Sequence, residues 1–139
     1  RELANEFGSQ CVVLAIDAMQ EIDGEWFVYL NGGRVKTNTK CFDWAKQAVD
    51  SGAGEILLTS MNHDGTKQGF ALDITRKLAT SLPVPVIASG GGGAMEHFTD
   101  VFNEGMADAA LAASIFHFSE IAIPDLKRYL QEQGISVRT

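Results

Sequence analysis

Val84-Pro85-Val86-Ile87-Ala88-Ser89-Gly90-Gly91-Gly92-Gly93 is a short apolar run that ends abruptly in small residues, and a helical pattern follows it from Met95. Ala109-Ala110-Leu111-Ala112-Ala113-Ser114 repeats that arrangement further on. An apolar run without alternation reads as a strand of a parallel sheet with both faces covered. Small residues between such a strand and a helix leave backbone N–H groups bare at the helix mouth, where an anion is favoured. Glycine there lets a phosphate oxygen approach the backbone without meeting a Cβ. The same stretch also reads as a Gly-rich turn of no chemical consequence; a second run of the same build, at another strand end, favours a site.

Working outward, the same grammar recurs. Arg1 to Phe7 has Leu3, Ala4 and Phe7 at helical spacing with Gly8 behind them, which reads as the last turns of a helix that starts before Arg1. Cys11 to Ile16 is an apolar run ending in Asp17, and places Cys11 in a strand with Asp17 just past its end. Glu25 to Leu30, the turn Asn31-Gly32-Gly33 and Arg34 to Thr37 form a hairpin signal, expected as an excursion on the active face outside the main sheet. Asp43 to Val49 reads as a helix closed by Ser51-Gly52, Glu55 to Ser60 as a strand, and Met61 to Gly69 as a polar loop. Leu72 to Ala79 traces a helix, Val84 to Ala88 the third strand, Met95 to Phe102 a helix ended by Gly105, and Asp108 to Ala113 the fourth strand. Ile115 to Phe118 allows one helical turn, and Pro124 to Gln133 a final helix with Pro at its first position. The expectation is one α/β domain over residues 1–139: four parallel strands, each followed by a helix. An open flavodoxin-like sheet is the alternative, since four such units can also lie flat.

The 139 residues are 45% hydrophobic and 21% charged, an ordinary globular balance. No apolar run approaches a membrane span, and Arg1 to Gly8 has no apolar signal region, so the expected location is cytoplasmic, with no membrane partner. Eighteen acidic against eleven basic residues give a net charge of −7, which argues against nucleic acid as a partner. Any phosphate is then held by local dipoles rather than by a basic field. Cys11 and Cys41 lack the spacing of a zinc site or a disulfide framework and read as reduced thiols.

Asp17 and Asp64 both fall where parallel strands end and so face one mouth. Asp17 reads as a general acid or base or as a cap; Asp64, in Asp64-Gly65-Thr66, reads as a site residue or a common turn residue. His63, His97 and His117 are too scattered for a metal set and read as surface or helix residues, while Trp26 and Trp44 read as packing. The glycine run matches neither the Walker nor the dinucleotide fingerprint, because Met95 stands where the last Gly of the latter would fall. No metal and no cofactor is expected.

Six segments together carry a family resemblance: Ala15-Ile16-Asp17-Ala18, Gly52 to Ser60, Asp64-Gly65-Thr66, Ile87-Ala88-Ser89-Gly90-Gly91, Met95-Glu96-His97-Phe98 and Ala109 to Ser114. In this order they resemble the cyclase subunit of imidazole glycerol phosphate synthase, specifically the C-terminal half, strands five to eight, of its (β/α)₈ barrel. The resemblance implies a reaction in which ammonia from a glutaminase partner meets a bisphosphorylated substrate, giving imidazole glycerol phosphate for histidine synthesis and an aminoimidazole carboxamide ribonucleotide. It implies that Asp17 is one of two catalytic aspartates, the other belonging to the half this chain lacks, so that the isolated half is inactive or very weak. It further implies that Asp64, Gly65, Gly90, Gly91, Ala113 and Ser114 hold one substrate phosphate, that Thr59 and Ser89 line the mouth, and that Glu55 gates ammonia on the opposite face. Half a barrel has two open strand edges, so closure as a homodimer or a larger assembly of such pairs is expected. The alternative to catalysis is a phosphate-binding half-barrel that self-associates.

Overall fold

In the computed structural model, which describes residues 1–138, six strands form one sheet: β1 (Val13–Gln20), β2 (Trp26–Leu30), β3 (Val35–Lys40), β4 (Glu55–Ser60), β5 (Val86–Ser89) and β6 (Ala109–Leu111). Their order is β3-β2-β1-β4-β5-β6. β1, β4, β5 and β6 run parallel, and β2 and β3 are antiparallel to their neighbours. Six helices accompany them: α1 (Glu2–Phe7), α2 (Cys41–Asp50), α3 (Leu72–Ser81), α4 (Met95–Asn103), α5 (Ser114–His117) and α6 (Ile123–Glu132).

The pleat sorts each parallel strand into two faces. Ile16, Ala18, Ile56, Leu58, Val86 and Ala88 are buried. They pack with Ala45 of α2, Ile74 and Leu78 of α3, and Phe98 and Val101 of α4. The alternate residues face away from the helices. Val13 and Leu111 on that face are 49% and 44% exposed, and Leu57, Ile87 and Ala109 are only half-buried. A parallel sheet with helices on one side and an uncovered apolar face on the other is half of a TIM-type barrel, as the family resemblance implies, and not the open flavodoxin-like sheet that the order of elements also allows.

Three local expectations are corrected. β1 starts at Val13, and Cys11 lies exposed in a 3₁₀ turn, Ser9–Cys11, rather than in a strand. β1 also continues to Gln20, so Asp17 sits within the strand and not past its end. Pairing with β4 carries β1 through Ala18, and the hairpin carries it on to Gln20. Instead of standing outside the sheet, β2 pairs with the second half of β1, with Asp17 opposite Tyr29 and Gln20 opposite Trp26. The turn between β2 and β3 takes Asn31, Gly32 and Gly33 through the left-handed region in succession, which the two glycines make inexpensive. Burial rather than charge holds the hairpin down. Trp26 and Val28 are 7% and 9% exposed and contribute about 1.5–3 kcal/mol each. The pairs Lys36–Glu21 and Lys40–Glu25 are surface pairs of about 0–1 kcal/mol. Only residues 17–20 of β1 receive the hairpin, so the edge from Val13 to Ile16 stays open.

Cys11 and Cys41 are both free thiols, the first exposed and the second fully buried. Burial pushes the Cys41 thiol up to about 12, which leaves almost no thiolate at neutral pH. At pH 8 a thiol reagent is expected to modify one cysteine per folded chain, at Cys11, and the second only after denaturation. Rapid modification of Cys41 in the folded protein, read by mass spectrometry, would contradict this packing.

Candidate functional site

Strand register builds the floor of the site. Asp17 on β1 pairs with Thr59 on β4, Thr59 with Ser89 on β5, and Ser89 with Leu111 on β6. Four residues from four separate segments therefore form one row on the helix-free face, near the carboxyl ends of the parallel strands. Beside the β5 and β6 end of this row is a hollow of about 160 Å³ lined by Ser89, Gly90, Gly91, Gly92, Asp64, Gly65, Lys67, Leu111, Ala112, Ala113 and Ser114. All six residues expected to hold a phosphate, Asp64, Gly65, Gly90, Gly91, Ala113 and Ser114, meet there, together with Ser89.

The glycine run has a different physical reason from the one its sequence suggests. Gly90 and Gly91 have φ of 89° and 103°. A Cβ on Gly90 would lie 2.7 Å from the Ser60 carbonyl oxygen, and one on Gly91 would lie 1.9 Å from that of Gly69. The Gly69 N–H donates to the Gly91 carbonyl at 2.8 Å. Glycine is required because the run lies flat against the loop after β4, and that contact makes two walls of the hollow. The expectation of bare N–H groups at the α4 mouth is also corrected in part. His97 Nδ1 accepts from the N–H groups of Gly93 and Ala94, both at 3.2 Å, so those two donors are occupied. This requires an unprotonated Nδ1. The His97 ring edge also lies 3.6 Å from where a Gly69 side chain would begin, so the ring fills the angle between the two loops. At the other wall, Ser114 opens α5, where the first N–H groups have no partner within the helix.

Asp17 is not in this hollow. It lines a second one of about 440 Å³ with Tyr29, Thr37 and Trp44, along the open edge of β1. Two strand spacings, about 10 Å, separate it from Ser89. Thr59 occupies the row between them and does not line the phosphate-sized hollow. The Tyr29 hydroxyl, on the residue opposite Asp17, donates to Glu21 at 2.5 Å. That bond, and then Lys36 beside the carboxylate, lower the Glu21 carboxyl from its ordinary value, and the bond to Glu21 raises the Tyr29 phenol. Glu55 begins β4 beside Val13, at the opposite end of the sheet from Thr59. His63 Nδ1 lies 2.7 Å from Ser60 Oγ. Among the described residues no three His, Cys, Asp or Glu side chains gather as metal ligands would, and no helix is long and apolar enough to cross a membrane. Two residues of the site escaped the sequence reading. Lys67 lines the hollow in a left-handed backbone conformation, φ 58°, and His97 supports the glycine run. Lys67 sits in none of the six segments that carry the family resemblance, and His97, though part of Met95-Glu96-His97-Phe98, reads there as a helix residue; only their contacts reveal these roles.

The fold and the clustering of loops at the carboxyl ends of parallel strands define half of a TIM-type (β/α) barrel with its site on the usual face. The chain belongs to the histidine biosynthesis protein family, whose sequence pattern matches residues 1–122. It is 61% identical over 137 residues to the imidazole glycerol phosphate synthase subunit HisF of Phocaeicola vulgatus, covering 99% of this chain and 54% of that protein. The corresponding subunits of Parabacteroides distasonis and Flavobacterium johnsoniae are 59% and 58% identical over the same shares of each chain. The chain spans about half the length of the curated relatives it matches.

Gly91→Ala tests the contact between the loops. Gly134 also has positive φ, 78°, but nothing lies within 4 Å of a Cβ there, so Gly134→Ala measures backbone strain alone, about 1–2 kcal/mol. Gly91→Ala is expected to lower the urea midpoint clearly more than Gly134→Ala does; equal losses would mean that the walls of the hollow are not packed as described.

Proposed function

We propose that the chain is the C-terminal half of an imidazole glycerol phosphate synthase cyclase, one (β/α)₄ unit that binds one phosphate of a phosphorylated substrate and presents Asp17 for proton transfer. The observation that carries this reading is the convergence of residues from three loops, Asp64 and Gly65, Gly90 and Gly91, and Ala113 and Ser114, on one small hollow. Backbone N–H groups at Gly91 and Ser114 are suited to a phosphate oxyanion in a chain of net charge −7. Anchored there, a substrate reaches past Ser89 and Thr59 toward Asp17, about 10 Å from Ser89 along the shared row. Asp17 then works as a general acid or base on the atoms undergoing ring closure. Glu55, at the other end of β4, borders the path by which ammonia from a glutaminase subunit enters. The chemistry calls for a second carboxylate and a second phosphate site, which a complementary half supplies, so this half alone turns over little or no substrate.

A second reading is favoured by the open edges. Val13 to Ile16 on one side and β6 on the other have unpaired backbone, and Val13, Ala15 and Leu111 leave the inner face exposed. Two copies related by a two-fold axis would pair β1 of each with β6 of the other and close an eight-stranded barrel. Such a dimer holds two equivalent phosphate hollows and two copies of Asp17 without requiring turnover.

Reconstitution separates the readings. Mixed with a complementary half, the chain is expected to support ammonia-dependent cyclisation, abolished by Asp17→Asn; a well-folded complex without activity favours the binding module. Ser114→Asp is expected to remove inorganic phosphate binding while leaving the unfolding midpoint within experimental error, because it sets a carboxylate against the anion at an already solvated helix start. For the isolated chain, light scattering after gel filtration is expected to give twice the 15.0 kDa chain mass or a multiple of that pair; a folded monomer would remove the self-association.

A further inference from the structure

Lys67 is the one cationic side chain among the residues lining the phosphate-sized hollow, and Asp64 the one anionic. Its ammonium is already engaged: Nζ lies 2.5 and 2.7 Å from the two carboxylate oxygens of Glu120. Glu120 sits just past α5, the helix whose first residue, Ser114, is part of the opposite wall, and its N–H donates to the Ile115 carbonyl at 2.8 Å. The bridge therefore spans two walls of the hollow. The Lys67 backbone is held in place as well. It has φ of 58°, a conformation a lysine adopts only at a cost, and its Cβ packs so close to Gly93 that a side chain there would lie 2.4 Å away.

We infer that Lys67 is a specificity-determining residue that selects a doubly charged phosphate, and that Glu120 holds its ammonium until the phosphate takes the carboxylate's place. This rests on the phosphate reading of the same hollow. With the bridge closed, Lys67 is neutralised and Asp64 leaves the hollow negative, which disfavours any anion. A dianion carries twice the charge of the Glu120 carboxylate and wins the ammonium where a monoanion does not. Lys67 and Glu120 side chains are each 41% exposed, and an exposed pair of this kind is weak, so the exchange is easily made. The alternative role, a staple that merely holds the two walls together, predicts the opposite effect of removing Glu120.

Inorganic phosphate, titrated calorimetrically at pH 8 into the full chain, decides between them. Glu120→Gln, which removes the competitor, is expected to bind about two- to fivefold tighter, the range set by an exposed ion pair. Lys67→Asn, chosen because asparagine tolerates the left-handed backbone, is expected to bind at least fivefold more weakly, roughly the upper end of that range. In the double variant the gain from Glu120→Gln should vanish, which a change in folding alone would not produce. Unchanged or weaker binding by Glu120→Gln, with the parent chain binding phosphate, overturns this inference and leaves the phosphate reading standing. No saturable binding by the parent chain overturns both.

Discussion

The parallel register of β1, β4, β5 and β6 is the constraint on which the rest depends. It sets Asp17, Thr59, Ser89 and Leu111 side by side, and because side chains alternate along a strand, a slip of one residue in any pair would turn its members into the helix layer. Burial enforces the register. Ile16, Ile56, Leu58 and Val86 are all within 1% of full burial, so exchanging them with Asp17, Thr59 or Ser89 would expose four large apolar groups and bury unpaired polar ones, at several kcal/mol each. The same core that stabilises the sheet thus aligns the polar residues on its other face.

Above that floor, close contact replaces side-chain chemistry. The glycine run and the loop after β4 touch along their backbones, and each supplies one wall of the hollow. His97 has a supporting part, accepting the two N–H groups that the start of α4 leaves unpaired. Among the backbone donors around the hollow, that leaves those of the glycines nearer β5 and of the start of α5. A site assembled this way depends little on net charge, which is consistent with its presence in an acidic chain.

The hairpin shows how an edge is managed. Its pairing with residues 17–20 of β1 covers half of that strand's free side and leaves Val13 to Ile16 bare. On the opposite edge β6 has three residues, bordered by a large apolar hollow between α4 and α6. Both edges are therefore partly blunted without being closed, the state expected of a sheet that completes itself against further strands.

Much of this was legible in the sequence. The apolar runs, the helical spacings and the small residues at strand tips determined the order of elements and the parallel run of four strands, since period and turn chemistry are local properties; the half-barrel, as against an open sheet, and the set of residues around the hollow were implied by the resemblance of six segments to a known family. Glu55 to Ser60 matches β4 residue for residue, and Leu72 and Met95 begin α3 and α4 as their spacing indicates. Tertiary structure alone decided the rest. Whether β1 ends at Ile16 or Gln20 depends on its pairing with β4 and on a hairpin that folds back onto it, and whether glycine serves a ligand or a neighbouring loop depends on what lies within 3 Å of its missing Cβ. The pairing of Lys67 with Glu120, fifty-three positions apart, and the distance of Asp17 from the hollow likewise arise from contacts between distant segments, which no local pattern encodes.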